Sequence, residues 1–446
     1  MSGLSNIIEY IFSFEPYVVL PLIIFVMSIV FHIPVSQALK ASVTIGIGFI
    51  GIFIVLGFFV ENIGPAVEAL TANTGLQYNV LDVGWPPLAA ISWSFNLAPV
   101  LIVLIILVNV IMLAIKKTKT VNVDIWNYWH LIFLGRMVYE TTESVWQSIA
   151  AALILNIIIL KLADWSAKRV NEFTGLTGIS ITTLSSIVYY PFAIVGNKFI
   201  DRIKFINHID ADPEYLKKKL GLFGEPMIIG FIVGILLGIG AGYNIREVLE
   251  LSFSISAVIY ILPMMAGVLG DGLMRVSDGM KKFIKKKYPD KEEIFIGLDL
   301  AILLSNPSII VTGLLLIPAA LILAFILPGI NFLPLGDLAN IMVAVSMILV
   351  AVRGNILRSF LIAIPILAGK LIIASKLANL YTGMAVEDGL KFEGYNGLIT
   401  GFLDGGNLIR YWIFEMFNMK LLAFIILPII MYLFWYTKKE SRISNF

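Results

Sequence analysis

Val123-Asp124-Ile125-Trp126-Asn127 returns, about 210 residues later, as Gly336-Asp337-Leu338-Ala339-Asn340, with the acid and the amide in the same places. Other polar landmarks keep nearly the same offset. Glu15-Pro16 opens the first apolar run and Glu225-Pro226 a later one. Gly84 and Ser92 line up with Gly297 and Ser305, and Gly196-Asn197 with Gly406-Asn407. Apolar matches carry little information, because any two membrane segments align. Polar and glycine positions recurring in one order predict a duplicated chain. Duplicated membrane proteins hold their ligand where the copies meet, so the pattern points to transport. Duplication for bundle stability alone is the plainer reading.

Composition agrees with a membrane protein. Hydrophobic residues make up 59% of the 446 and charged residues 14%, outside the soluble range. A net charge of +2 argues against a nucleic-acid partner. No cysteine is present, which excludes disulfides, thiolate metal sites and a cysteine-borne covalent intermediate on this chain. The three histidines, His32, His130 and His208, are far apart, so neither a metal site nor a cofactor is expected. The N-terminus carries Glu9 and Glu15 rather than a basic stretch and shows no cleavable signal.

Windowed hydropathy predicts about eleven spans, centred at 18–31, 43–60, 97–115, 125–139, 145–162, 226–242, 248–270, 309–327, 338–352, 356–373 and 421–436. Loop charges orient them. Lys116, Lys117 and Lys119 follow the third span, and Lys217, Lys218 and Lys219 precede the sixth. Arg275 and Lys281, Lys282, Lys285, Lys286 and Lys287 follow the seventh; Arg353 and Arg358 flank the loop after the ninth; Lys438, Lys439 and Arg442 follow the last. All fall on one side if the N-terminus is outside and the C-terminus cytoplasmic, and the opposite loop carries Glu61, Glu68 and Asp82. Five spans per copy is an odd number, so the second copy is expected upside down. The predicted fold is therefore an all-α integral membrane protein, a single domain over 1–446. It holds two inverted five-span repeats, 9–205 and 219–416, and one extra C-terminal span with a tail, 419–446.

Four segments are too broken by proline and glycine to be spans, yet too apolar for ordinary loops. Asp82-Val83-Gly84-Trp85-Pro86-Pro87 is expected to approach from outside, and its counterpart, Ile296-Gly297-Leu298-Asp299 through Asn306-Pro307, from the cytoplasm. The segment 175–197 is expected to enter from the cytoplasm and 394–407 from outside. Backbone freed from helix sits at membrane depth only where it is buried in protein or lines a wet cavity. These segments read as re-entrant hairpins converging on one site, with interfacial loops as the alternative.

Polar residues inside apolar surroundings supply the candidate ligands. Asp124, Asn127 and His130 are spaced i, i+3, i+6 among Trp126, Tyr128 and Trp129. Asp124 and Asn127 share a helix face. Aromatic faces with donors and acceptors suit a sugar. An N-cap role for Asp124 fits equally, and Asp337 in the matching place supports both readings. Asp299 has no basic neighbour in sequence, and intramembrane acids are costly and functional by default. Trp85, Ser92, Thr182, Thr183, Asn306, Asp404 and Asn407 complete the candidate substrate-binding set from the four hairpins, and no residue is assigned a catalytic role. Arg136 and Glu140 predict an i, i+4 pair. Gly46-Ile47-Gly48-Phe49-Ile50-Gly51 matches a dinucleotide pattern but lies within a span, so it reads as a close-packing helix surface, as does the stripe Gly230, Gly234, Gly238, Gly242. Asp212-Pro213-Glu214 reads as a helix start, and 274–291 as a basic amphipathic helix able to touch anionic lipid or a partner.

Val121-Asn122-Val123-Asp124-Ile125-Trp126-Asn127 with Trp129-His130, and Asp82-Val83-Gly84-Trp85-Pro86, resemble the galactitol-specific membrane subunit, enzyme IIC, of the bacterial phosphotransferase system. Gly224-Glu225-Pro226, Gly240-Ala241-Gly242-Tyr243, Ile296-Gly297-Leu298-Asp299, Gly336-Asp337-Leu338-Ala339 and Arg353-Gly354-Asn355 match in order, so the likeness runs through the whole chain. The resemblance implies a homodimeric permease of the ascorbate–galactitol superfamily in the bacterial cell membrane. It would bind a sugar or sugar alcohol in a core of re-entrant and spanning helices that moves against a second domain. A phosphorylated IIB subunit, charged by IIA, would dock on the cytoplasmic face and phosphorylate the sugar. The missing cysteine fits, since the phosphoryl group is expected on IIB. Three places depart from the family. A Pro-His-Gly-Thr-Ser run is replaced by Ile181-Thr182-Thr183-Leu184-Ser185-Ser186; the proline after Asp299 is Leu300; and Gly-Gly-Ser-Pro is Gly405-Gly406-Asn407-Leu408. An ion-coupled secondary transporter of a polyol or sugar, and a non-transporting membrane sensor, remain as alternatives.

Overall fold

The computed structural model describes residues 16–72, 79–204, 211, 222, 225–287, 294–334, 336–390 and 397–443. Glu9, Glu15, His208, Asp212-Pro213-Glu214, Lys217, Lys218, Lys219, Gly224 and Gly394, and the side chains of Met280, Phe283 and Ile284, lie outside the described residues. The chain is dominated by helices: α1 (Pro16–Val30), α2 (Val35–Ala72), α3 (Trp85–Ser94), α4 (Ala98–Ala114), α5 (Trp129–Thr142), α6 (Val145–Thr174), α7 (Leu184–Ile187) and α8 (Tyr190–Ile200) in the first half. The second half holds α9 (Pro226–Gly240), α10 (Ile245–Lys287), α11 (Pro307–Ile326), α12 (Ile341–Ala351), α13 (Ile356–Glu387) and α14 (Leu408–Phe417), and α15 (Leu421–Ile443) ends the chain.

All eleven expected apolar runs are helical over most of their length, but they do not all have the length of a bilayer crossing. Among the described residues six helices are long and apolar enough: Val35–Val55 within α2, α6, Ile245–Val276 within α10, α11, α13 and Leu421–Arg442 within α15. The pair α3 and α4 passes only together and is bent by 95° at its break. Pro99 at the start of α4 explains the break, since proline has no N–H to continue the preceding turn. The helices of the remaining runs, such as the 15-residue α9 and the 11-residue α12, are short.

The expectation of an all-α protein needs one correction. Five short strands are present among the described residues: β1 (Val80–Asp82), β2 (Thr120–Asn122), β3 (Ile179–Ile181), β4 (Phe295–Leu298) and β5 (Leu398–Thr400). They pair in parallel, β1 with β5, and β4 between β2 and β3. Each of the four broken segments is therefore a strand followed by a helical turn or short helix, and each strand pairs with one from the other half. The physical reason is the one that made these segments stand out. Outside a helix, buried N–H and C=O groups need partners, and another extended segment supplies them. Strands of three or four residues are too short to show alternation, and parallel strands buried on both faces read as plain apolar runs. The two glycines that line up in sequence sit differently: Gly84 follows β1, whereas Gly297 lies within β4. Gly297 is needed in the central strand, because a Cβ there would lie 2.6 Å from Thr182 Cγ2 and 2.9 Å from Thr120 Cγ2.

Side chains close the outer edge of β2. Asn109 of α4 donates from Nδ2 to the Thr120 carbonyl at 2.9 Å and accepts from the Asn122 N–H at 3.0 Å. Asp164 of α6 accepts at one oxygen, at 2.9 Å each, from the Thr118 hydroxyl, the Lys119 N–H and the Thr120 hydroxyl. Further along α5, Arg136 meets Glu140 at 3.5 Å as expected, and also Glu387 and Asp388 at the C-terminal end of α13. Ser94 of α3 donates to that same Asp388 at 2.7 Å, so one cluster ties α3, α5 and α13. The first two helices of each half pack together, α2 on α10 and α9 on α10. Both glycine motifs serve this packing. A Cβ at Gly48 would lie 2.6 Å from the Leu269 backbone, and one at Gly234 would lie 2.4 Å from Ser252 Cα.

Replacing Asn109 by leucine leaves a strand carbonyl and a strand N–H without partners in the interior. We expect a loss of about 2–4 kcal/mol, from the usual cost of unsatisfied buried groups. It is read as a lowered melting temperature of the purified chain; an unchanged melting curve would show that β2 does not depend on Asn109.

Candidate functional site

The strand β2 delivers Asp124. The Asn122 side chain accepts from the Asp124 N–H at 3.1 Å and from the Thr182 hydroxyl at 3.1 Å, so the tips of the β2 and β3 segments are fixed to each other. A 3-10 turn, Trp126–Tyr128, follows and turns Asn127 back toward Asp124. The Asn127 amide donates to both Asp124 oxygens, at 2.9 and 2.8 Å, and to Asp299 Oδ2 at 2.5 Å. Asp299 comes from the other half, where it ends the β4 segment and caps the following 3-10 turn by accepting from the Ala301 N–H at 2.7 Å. The Thr183 hydroxyl closes the ring. It donates to Asp124 Oδ2 at 3.2 Å and accepts from the Leu300 N–H at 3.1 Å. A buried and a half-buried carboxyl group, Asp124 and Asp299, thus share one amide, and among the described residues neither forms an ion pair.

A third acid faces them. Asp404, in the turn after β5, accepts from the Ser185 hydroxyl at 2.9 Å. His130 Nε2 lies 3.1 Å from the same hydroxyl. Because serine has a single hydrogen and spends it on Asp404, the imidazole must donate from Nε2. In the neutral imidazole its Nδ1, 3.6 Å from Asp404 and without a hydrogen-bond partner among the described residues, then carries the lone pair. Trp85 and Trp129 stack with centroids 6.3 Å apart, and Trp129 lies against the His130 ring at 3.8 Å.

These groups line one cavity of about 130 Å³. Seven of the eleven expected site residues are on its wall: Trp85, Asp124, Asn127, His130, Thr183, Asp299 and Asp404. Phe49, Ile52 and Phe53 of α2 close one side, so the cavity lies between the hairpin tips and the α2–α10 group. The other four do not line it. Ser92 is buried and donates to the Leu88 carbonyl of its own helix; Thr182 holds Asn122; Asn306 caps α11 and Asn407 caps α14. Ser185, Leu300 and Asn340 are wall residues outside the expected set. Asn340 was within reach of sequence reasoning, as the repeat partner of Asn127, whereas Ser185 had no signal beyond its place in a hairpin.

The two halves use their acids differently. Asp337 matches Asp124, yet it does not line the cavity. Its Oδ1 accepts from the Trp85 N–H at 3.2 Å and the Asn340 amide at 3.3 Å. Asp82 accepts from the N–H groups of Gly84 at 3.2 Å, Phe402 at 2.9 Å and Gly336 at 3.0 Å. One acid pair is thus a backbone clamp, while the other is open to the cavity.

Comparison with known proteins follows the same outline. Residues 10–394 match the family described as EIIC-GAT, PTS system sugar-specific permease component. A permease IIC component of Escherichia coli strain K12 is 34% identical over 418 residues, covering 94% of this chain and 95% of the relative. Galactitol-specific EIIC components of the PTS system from Escherichia coli K12 and O157:H7 are each 34% identical over 414 residues, covering 93% of this chain and 91% of the relative.

With no native cysteine, the cavity wall can be mapped by single substitutions. Cysteine at Ser185 is expected to react with a small water-soluble methanethiosulfonate, and cysteine at Ser92 is not. Equal labelling of both, or labelling of position 92 alone, would contradict the assigned wall.

Proposed function

We propose, because this chain belongs to the EIIC-GAT family of phosphotransferase-system sugar-specific permease components, that it carries a galactitol-like sugar alcohol or sugar and presents it for phosphorylation. It is a multi-pass protein of the cell membrane. The observation that carries the reading is the cavity itself, where acids from both halves meet under stacked tryptophans. Its hydrogen-bond polarity suits hydroxyl groups. Thr183, Ser185 and Asn127 spend their hydrogens on Asp124, Asp404 and Asp299. Carboxyl oxygens remain to accept hydroxyl hydrogens, and the indole faces can cover C–H surfaces.

The sugar contacts are Trp85, Asp124, Asn127, His130, Thr183, Asp299 and Asp404, joined by Ser185. The two halves form inverted repeats, and their four strand–helix segments are re-entrant. The recurrence of element order supports this, since α1–α2, α4, α5–α6 and α8 are matched in sequence by α9–α10, α11, α12–α13 and α14. The cavity's place between the hairpins and α2 suits movement of one helix group against the other, which alternates access. A phosphorylated IIB subunit, charged by IIA, meets the sugar from the cytoplasmic face, and two copies of the chain pair in the membrane. The work left to this chain is to bind and orient a hydroxyl for in-line attack on the phosphoryl group.

Two of the departures from the family's run meet in the site, since the Leu300 N–H, which a proline would lack, bonds to Thr183. The cavity keeps its polar lining with these residues. One observation favours a second reading, ion-coupled transport: the Asp124–Asp299 pair has no ion-paired cation among the described residues.

Membrane vesicles carrying the chain with IIA and IIB are expected to accumulate hexitol phosphate only when phosphoenolpyruvate is supplied. Accumulation of free hexitol on an imposed proton or sodium gradient would overturn the reading in favour of the second. Asp299→Asn is expected to reduce hexitol affinity at least about tenfold, the loss of one charge-assisted hydrogen bond, while the chain still folds. Unchanged affinity would remove Asp299 from the contacts.

A further inference from the structure

Behind the cavity wall lie two buried cations. Lys370, in the middle of α13, is fully buried. Its Nζ donates to the Leu403 carbonyl at 2.6 Å and sits 4.5 Å from the Tyr189 ring centroid. Arg410, in the first turn of α14, is 1% exposed, and none of its guanidinium nitrogens has a hydrogen-bond acceptor among the described residues. It rests against Phe133, 5.0 Å to the centroid, and Trp129, 6.0 Å. Its nearest acid is Asp404, 3.9 Å from Nη2. Neither cation lines the cavity, although Leu403 and Asp404 do.

Cations in such surroundings are expensive unless an opposite charge is close. The groups facing them are Asp404, His130 of α5, Asp337 before α12, and the hydroxyls of Tyr189 and Tyr381. Of these, Asp404 alone is a carboxylate on the cavity wall. Two consecutive residues of its turn face the cations, Leu403 through its carbonyl and Asp404 through its carboxylate. The contrast with Asp124 and Asp299, which share an amide and no cation, marks this as a feature of one side of the cavity.

We propose that Arg410 and Lys370 are positioning residues for the sugar site, acting through Asp404, which they hold by opposite charge in the orientation that meets a sugar hydroxyl. The inference rests on the reading that Asp404 contacts the sugar. Arg410 takes the larger part, as the closer cation, and its aromatic seat keeps the guanidinium beside the carboxylate without competing hydrogen bonds. What matters at this position is charge rather than shape. Lysine should therefore substitute for it and glutamine should not.

The test is a double-mutant cycle on galactitol binding to the purified full-length chain, followed by tryptophan fluorescence, with melting temperatures measured in parallel. Asp404→Asn and Arg410→Gln are each expected to weaken galactitol binding about tenfold, and their double variant no more than Asp404→Asn alone. Arg410→Lys is expected to stay within about threefold of the unaltered chain. Lys370→Met is expected to weaken binding, and to add nothing once Asp404 is asparagine, which keeps the proposal testable if Arg410→Gln does not fold. Losses that add in the double variants, or an Arg410→Lys chain as weak as Arg410→Gln, would overturn the proposal and leave Asp404 as a sugar contact. Unchanged affinity in Asp404→Asn would instead overturn the reading on which the proposal rests.

Discussion

Backbone groups that leave a helix inside a membrane protein must find partners in the protein, and in this chain they find them in the opposite half. Among the described residues four short strands pair in parallel across the two halves, and a fifth, β2, pairs with β4. The rest follows from that pairing. Because each strand runs into a short helical element, pairing the strands gathers their tips. Because the pairs cross between halves, the tips carry side chains from both, and Asp124 and Asp299 meet although they are far apart in sequence. The supports are buried polar side chains: Asn109 and Asp164 complete the free edge of β2, and Asn122 and Thr182 join two tips. The cavity is therefore a consequence of satisfying the hairpin backbones, and its polar lining is the set of groups left at the tips once the strands are paired.

The two halves carry similar sets of groups, and the structure uses them differently. Asp82 and Asp337 accept from backbone N–H groups and seal the β1 tip against the segment before α12. Asp124 and Asp299 are held by a shared amide, a hydroxyl and the Ala301 N–H, and keep a face on the cavity. The same division separates Asp404 from the Asp124–Asp299 pair by counter-charge. A site with one compensated and one uncompensated acid end presents unlike surroundings to the two ends of a linear polyol.

Much of this was legible in the residues. The eleven apolar runs are all helical, the broken segments are the ones that leave helix, and most of the expected site residues reach the cavity. The strands were not legible, because three buried residues have no period to read. Neither was the difference between Asp124 and Asp337, since both sit before a 3-10 turn with asparagine three residues on, and only the partner across the interface distinguishes them. Asn306 and Asn407 look like ligands in sequence because each precedes a helix in a hairpin, and that position is also where a cap is needed. Lys370 carried a signal that span counting passed over: a lone lysine deep in an apolar run is a functional residue by default, with its partner to be sought. Arg410, close to a turn, gave no such sign, and its burial is a property of the fold.

The most direct measurement is a structure of the full-length chain with galactitol bound. The account predicts the hexitol lodged between the stacked Trp85 and Trp129 and the α2 face, with hydroxyls within hydrogen-bond distance of Asp124 or Asp299 at one end and Asp404 at the other. A hexitol held elsewhere, for example along α9 and α10 with this cavity empty, would contradict it.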